Sequence, residues 1–317
     1  MRKCFAKLTW ITKHDRLGLV IMPHRPIGAH VPVAGGLATA GLRYAASIGA
    51  EAIQVFVSNP RGWALAPGNP AEDAALGQQA ADLPVFVHAS YLVNLGSPDA
   101  ETADRSVASL RHALCRAARI GARGVVVHTG SAVRWDRALA LRQVRELLLP
   151  LLDGIGDCGP DVLLESMAGQ GQMLCAAIAD FGPYLDMLDR HPRAAVCLDT
   201  CHAFAAGHDL AARGGVAATL DALHAAAGPG RLKLVHANDA KDPCGSRRDR
   251  HQNIGAGNIG KEPFRELLRH PFTTGVPFII ETPGPASAHG RDVATLKKLR
   301  GRPAAHRSSR YRAPAVR

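Results

Sequence analysis

The stretch AAVCLDTCH, residues 194–202, sets the reading of this chain. A short apolar run from Ala194 to Leu198 has the length and composition of a buried strand. It stops at Asp199-Thr200-Cys201-His202. A carboxylate at the mouth of a strand and an imidazole three residues later are both good ligands for a divalent metal. By itself the same spacing also describes an Asx turn beside a surface histidine. The ends of the other strands decide between the two.

Runs of the same kind recur. Ile27–Val31, Ala52–Val57, Pro84–Ala89, Gly124–His128, Val162–Glu165, Ala194–Asp199, Leu232–Asn238 and Pro277–Glu281 make eight candidate strands. Helix-length segments lie between them. In Glu101–Ile120, Val107, Leu110, Leu114 and Ala117 recur every three or four residues, the spacing of one helix face. Arg134–Leu152 and Met173–Leu188 read the same way, as do the Ala-rich segments Asp73–Ala81 and Asp209–Ala226. Gly49 and Gly121 fit helix C-caps. Buried strands alternating with helices predict an α/β fold, a single (β/α)8 TIM barrel, with a doubly wound open sheet as the rival.

A chain of 317 residues with 47% hydrophobic content can bury a large core. It has no apolar stretch long enough to span a bilayer, and LGLVIM (17–22) is short for a signal-peptide core. The cytoplasm is the expected compartment. Seven cysteines without a C-x-x-C pair argue for a reduced environment rather than a disulfide framework. Cys197 and Cys201 flank Asp199 and read as small buried fillers, not ligands.

The net charge of +11 suggests a nucleic-acid partner, but its distribution weakens that inference. Residues 1–25 contribute +5 and residues 300–317 contribute +6, while the chain between carries 26 basic and 26 acidic groups. Three regions follow: a basic, poorly ordered N-terminal extension (1–25), a barrel domain (26–300) and a basic, disordered tail (301–317). Met22, just before the first strand, is a candidate translation start.

A barrel of this type builds its active site at the C-terminal ends of its strands. Those ends are His30, His88, His128, Glu165, Asp199 with His202 just beyond, His236 and Glu281, and the loop after strand seven adds Asp249 and His251. Core packing requires none of these. Four carboxylates on one rim would repel each other and raise their pKa values unless cations were present. Five histidines (88, 128, 202, 236, 251) and four acids (165, 199, 249, 281) exceed the needs of one or two ions. Imidazole and carboxylate without thiolate suit zinc or manganese, and multi-metal clusters of this kind are typical of phosphoester hydrolysis.

With these residues in place the chain resembles the endonuclease IV family of apurinic/apyrimidinic DNA-repair nucleases, from Ile27 to Pro283. The motifs are GAHVPVAGG (28–36), VHASYLVNLGSP (87–98), VVVHTGS (125–131), LLESMAGQG (163–171), CLDTCHAFAAGHD (197–209), VHANDAKDP (235–243), DRHQNIGAGNIG (249–260) and IIETPG (279–284). The resemblance implies three zinc ions, with manganese an alternative at one site. His88, His128 and Glu165 would hold one ion. Glu165, Asp199, His236 and Glu281 would hold a second, and His202, Asp249 and His251 a third. It implies that Glu165, Asp199 and Glu281 carry the catalytic pair, with a hydroxide attacking the phosphorus 5′ to an abasic deoxyribose. The products would be a 3′-hydroxyl and a 5′ deoxyribose phosphate, and blocked 3′ ends would also be trimmed. The expected partner is double-stranded DNA bearing such lesions, and the expected state a monomer. VFVSNPRGWALAP (55–67) resembles a recognition loop with Arg61 entering the duplex. Tyr91 and Leu92 resemble a wedge into the base stack, which an abasic site opens at least cost.

Some residues depart from the family pattern. Ser166-Met167 stands where Asn-Thr is commoner, Ala256 and Asn258 replace frequent acids, and Pro32 replaces a small polar residue. Gly169 and Gly171 suggest close backbone approach near the site. Two other readings stay open: a sugar isomerase or epimerase on the same barrel, and a noncatalytic damaged-DNA-binding protein with structural metals.

Overall fold

The computed structural model describes residues 24–80 and 82–301. Met22, Ala81, nearly all of the N-terminal extension and the tail beyond Gly301 lie outside the described residues. In chain order the strands are β1 (Ile27–His30), β2 (Ile53–Val55), β3 (Val85–His88), β4 (Gly124–His128), β5 (Asp161–Glu165), β6 (Ala194–Asp199) and β7 (Leu232–His236). A short antiparallel pair follows, β8 (Asp239–Ala240) and β9 (His251–Gln252), and then β10 (Phe278–Ile280). Strands β1 to β7 and β10 form a closed parallel barrel in the order β1-β10-β7-β6-β5-β4-β3-β2. Closure rules out the open sheet.

Strand alternation sorts the apolar residues into two layers. Phe86, Val126, Leu163, Cys197, Leu234 and Ile279 fill the barrel interior. Their neighbours along the strands, such as Val162 and Leu164, point outward and pack under the helices with Leu110, Leu148, Phe181 and Phe264. Gly28 is required where β1 meets β2, because a Cβ there would lie 1.7 Å from the Ala52 carbonyl oxygen.

The helices are α1 (Arg43–Ser47, preceded by a π-helical turn), α2 (Pro70–Gln79), α3 (Ala100–Arg119), α4 (Arg137–Asp153), α5 (Phe181–Met187), α6 (Thr200–Ala205), α7 (Gly215–Ala227), α8 (Lys261–Leu267) and α9 (Ala286–Arg300). Side-chain caps set several starts: Asn69 accepts from the Ala71 N–H, Asp99 from Thr102 and Asp136 from Ala138. Gly49 and Gly121 adopt the positive φ of C-capping residues.

Two helices are shorter than the periodicity predicts. Within Met173–Leu188 only the end is helical, after a 3-10 turn at Ile178–Asp180. Leu174 instead donates its N–H to Gly130, and the Asp180 carboxylate takes the N–H groups of Ala176 and Ala177. Within Asp209–Ala226 the helix starts at Gly215, because Asp209 accepts from Ala211 and Ala212 in a separate turn. In both places a local carboxylate competes with the helix for backbone donors.

Arg25 is buried against the last part of the barrel, donating to the His270 carbonyl at 2.8 Å, and Arg300 donates to the Arg25 carbonyl at 2.7 Å. Among the described residues no helix is long and apolar enough to cross a membrane.

Candidate metal centre

Parallel strands in register deliver their last side chains to one rim. His88, His128, Glu165, Asp199 and His236 end β3, β4, β5, β6 and β7, and Glu281 follows β10 directly. His202 lies in the first turn of α6, Asp249 comes from the excursion between β8 and β9, and His251 begins β9. These nine residues fall into three groups: His88, His128 and Glu165; Glu165, Asp199, His236 and Glu281; His202, Asp249 and His251. Within each group one donor atom per residue lies within 4.8 Å of the others.

Glu165 belongs to two groups through different oxygens. Its Oε2 is 3.4 Å from His88 Nε2 and 3.5 Å from His128 Nε2. Its Oε1 is 2.9 Å from His236 Nδ1. In the third group Asp249 Oδ1 lies 3.2 Å from His202 Nε2 and 3.0 Å from His251 Nε2. Glu165 Oε2 and both of those Nε2 atoms are nevertheless buried without a hydrogen-bond partner. Buried polar atoms are rarely left so. Donor atoms that converge without a hydrogen bond between them are what a cation would satisfy.

The far sides of the rings support the same reading. His88 Nδ1 lies 2.7 Å from the Ala89 carbonyl, His202 Nδ1 2.9 Å from that of Ser166, and His251 Nδ1 3.2 Å from that of Glu281. Each carbonyl accepts an Nδ1–H and leaves Nε2 as the free donor atom toward the cluster, the usual arrangement around ligating histidines. Ser166, where the sequence departs from its family pattern, thus contributes its backbone rather than its buried hydroxyl.

Electrostatics follow from crowding. Burial would raise the Glu165 carboxyl, but His236, His88 and His128 together hold it well below the ordinary range. Burial would lower His251, yet Asp249, Asp199 and Glu281 raise it to about 9. His202 is likewise held well above its ordinary value, against burial, by Asp199, Asp249 and Glu165. His128 is the exception: burial dominates and lowers it to about 4, so it stays neutral. Glu165, Asp249 and Glu281 are all held below their ordinary values and so call for positive charge, which divalent ions supply. The cysteines do not compete, since burial pushes the Cys197 thiol up to about 12. Cys201 is also buried, with its Sγ donating to the Arg250 carbonyl.

Tyr91 stands at the edge of this cluster. Its ring stacks on His128 with centroids 5.9 Å apart and meets His88 and Phe56 edge-on, each at 5.3 Å. Leu92 beside it is half-buried, and Arg61 is exposed. The Tyr91 N–H and the Ser90 hydroxyl both donate to the Pro60 carbonyl, joining the loop of Tyr91 to that of Arg61.

Three buried polar residues around the cluster escaped the sequence reading: Gln54, Asn238 and Asp239. Asn238 donates to Asp199 Oδ2 at 2.7 Å and accepts the Glu281 N–H at 2.8 Å. The Asp239 carboxylate accepts from the N–H groups of Gly255, Gly257 and Ile259, pinning the loop beyond His251. A Cβ on Gly257 would lie 2.5 Å from that carboxylate. A polar amide inside the apolar strand run IQV was the available signal for Gln54. Close approach does not explain Gly169 and Gly171: a Cβ on Gly171 would meet nothing within 4 Å, and both residues are instead required by positive φ, +87° and +60°.

Known proteins resemble this chain in sequence and in fold. The family model described as xylose isomerase-like TIM barrel matches residues 42–299. The probable endonuclease 4 of Streptomyces coelicolor is 58% identical over 283 residues, 88% of this chain and 96% of that protein. The probable endonuclease 4 of Halothermothrix orenii is 36% identical, over 86% of this chain and 99% of that one. The crystal structure of endonuclease IV from Thermus thermophilus superposes with a TM-score of 0.75 at 34% identity, covering 86% of this chain and 98% of that one. A D-tagatose 3-epimerase-like protein, at 20% identity and a TM-score of 0.64, shares the fold alone. The chain belongs to the endonuclease IV family of apurinic/apyrimidinic endonucleases, built on the xylose isomerase-like TIM barrel.

Proposed function

We propose that this chain is a base-excision-repair endonuclease that cuts double-stranded DNA on the 5′ side of an abasic site. It leaves a 3′-hydroxyl and a 5′ deoxyribose phosphate, and it trims blocked 3′ ends with the same site. The observation that carries the reading is the set of three donor groups on one rim, two of them sharing Glu165. We assign three zinc ions to them, with manganese an alternative at one. His88, His128 and Glu165 hold the first, Glu165, Asp199, His236 and Glu281 the second, and His202, Asp249 and His251 the third. Bound there, such ions supply Lewis acidity and neutralise charge on the attacking and leaving oxygens of a phosphodiester.

The protein's own residues do the positioning. Glu165, with one oxygen toward each of two groups, sets their separation, and Asp199 and Glu281 complete the second group. Tyr91, packed on two of the histidines, and Leu92 hold the stack open beside an extruded abasic nucleotide. Arg61 enters the duplex from the adjoining loop. The protein works as a cytoplasmic monomer.

A sugar epimerase has no use for the third group or for the Arg61 loop, and its likeness here is one of fold. A noncatalytic damage-binding protein would favour closed sites with thiolate ligands, unlike this open rim. The test is incubation with a duplex bearing one abasic site, before and after prolonged chelation, with elemental analysis of the protein. Incision lost on chelation and restored by zinc, with metal content near three per chain, is the expected result. About one metal per chain without incision would refute the proposal.

A further inference from the structure

Gln54 lies in the middle of β2 and is fully buried, where an amide is costly unless its hydrogen bonds are met. They are met, by two residues of the cluster and by His30 beside it. Gln54 Nε2 lies 2.6 Å from Glu281 Oε1 and 3.0 Å from His30 Nδ1, and Gln54 Oε1 lies 2.8 Å from His236 Nε2.

The orientation of the amide follows from chemistry. An ionised carboxylate only accepts, so the group facing Glu281 is the NH2, and the carbonyl faces His236. That carbonyl only accepts, so His236 carries a proton on Nε2. Its Nδ1, 2.9 Å from Glu165 Oε1 and 3.3 Å from Glu281 Oε2, is then the nitrogen that faces the cluster, where a bound cation would take the place of a proton shared with Glu165. The two amide hydrogens are both assigned, one to Glu281 and one to His30 Nδ1. His236 thereby differs from His88, His202 and His251, whose Nδ1 atoms face backbone carbonyls and whose Nε2 atoms face the cluster.

We infer that Gln54 is a positioning residue that fixes which nitrogen of His236 faces the metal cluster and which way the Glu281 carboxylate points. It does both at once because His236 ends β7 and Glu281 directly follows the neighbouring β10, and one side chain from β2 reaches across the barrel mouth to both. The inference rests on the assignment of His236 and Glu281 to one ion, and it adds the residue that aligns them.

The test uses the full chain loaded with zinc. Ring-nitrogen NMR on protein with 15N-labelled histidine should show one histidine, assigned as His236 by its loss in H236Q, with zinc on Nδ1 and a proton on Nε2. Gln54→Leu, similar in volume, should lower the affinity of one zinc class by about 10–100-fold in competition with a chelator. Its kcat should fall by a similar factor while KM for abasic duplex stays within about twofold. Gln54→Glu keeps an acceptor for His236 and should restore the single Nε2–H form that Gln54→Leu loses. Zinc on Nε2 of His236 in the wild type would overturn the inference whether or not the variants fold. So would unchanged zinc affinity and tautomer in Gln54→Leu. A wild-type protein in which zinc leaves the His236 signals unmoved would instead overturn the metal assignment itself.

Discussion

Asp199 and His202 are joined through the backbone while their side chains serve different groups. Asp199 Oδ1 accepts the His202 N–H at 2.9 Å and so caps α6. Its Oδ2 faces the other way, taking the Asn238 amide at 2.7 Å and lying 3.8 Å from His236 Nδ1 and 3.7 Å from His251 Nε2. One carboxylate therefore ends the strand, starts the helix and stands between the second and third donor groups. Asp199→Asn keeps an oxygen for the cap but loses the charge, and Asp199→Ala loses both. Both should reduce incision by at least about 100-fold. In urea unfolding, Asp199→Ala should be the less stable by about 1 kcal/mol, the worth of an N-cap. Equal stability would show that the cap contributes nothing.

Of the nine donors, Glu165 alone belongs to both of the first two groups. Glu165→Ala should abolish incision and lower the bound metal by more than one ion per chain while the barrel stays folded by circular dichroism. Near-normal cleavage, or loss of a single ion, would refute the shared role.

Arg61 is exposed on a loop fastened to that of Tyr91 through Pro60. Arg61→Ala should weaken binding to an abasic duplex roughly tenfold, about 1.4 kcal/mol, in fluorescence anisotropy. Its metal content should not change. Tyr91→Ala should behave differently, since Tyr91 packs on His88 and His128, and should lower both DNA affinity and retention of metal on dialysis. Leu92→Ala should resemble Arg61→Ala. If all three variants bind the duplex normally, this face is not where DNA docks.

At the other end of the barrel Glu51 ties the first strand to the last helix. Burial would raise its carboxyl, but hydrogen bonds from Arg300, Lys297 and the Ile27 N–H outweigh this and hold it at about 2. A depressed folded-state value means that the ionised form stabilises the fold. That contribution is complete above the ordinary value of 4.5 and is lost as pH falls toward about 2. Glu51→Gln should cost about 1–2 kcal/mol near neutral pH, and its deficit against the wild type should shrink through this window. Unfolding curves across pH check it. A deficit independent of pH would mean that packing, not charge, is what Glu51 supplies.

Much of this is legible in one dimension. Short continuous apolar runs specify these strands because each must be buried on both faces, and eight of them between helices leave little choice but closure. The residues ending those runs can be read as a cluster because parallel register carries every strand end to one rim. Within 173–188 the apolar spacing is real, yet most of the expected helix does not form. There Asp180 captures the backbone donors of Ala176 and Ala177 that the helix needs. Spacing alone cannot weigh that competition.

What the sequence determined by itself, then, was the barrel and the gathering of histidines and carboxylates at its strand ends, since both follow from local periodicity and the direction of the chain. How the donors divide, which the sequence offered only through its family resemblance, depends on the tertiary structure. Glu165 sends its two oxygens to different groups, Asp249 and His251 are folded back toward His202 with the loop beyond them clamped by Asp239, and Gln54 sets the ring of His236. These relationships join residues far apart in the chain through hydrogen bonds of specific direction. Such directions exist only once the strands have closed, because a side chain's partners are set by which neighbours the barrel brings within about 3 Å of it.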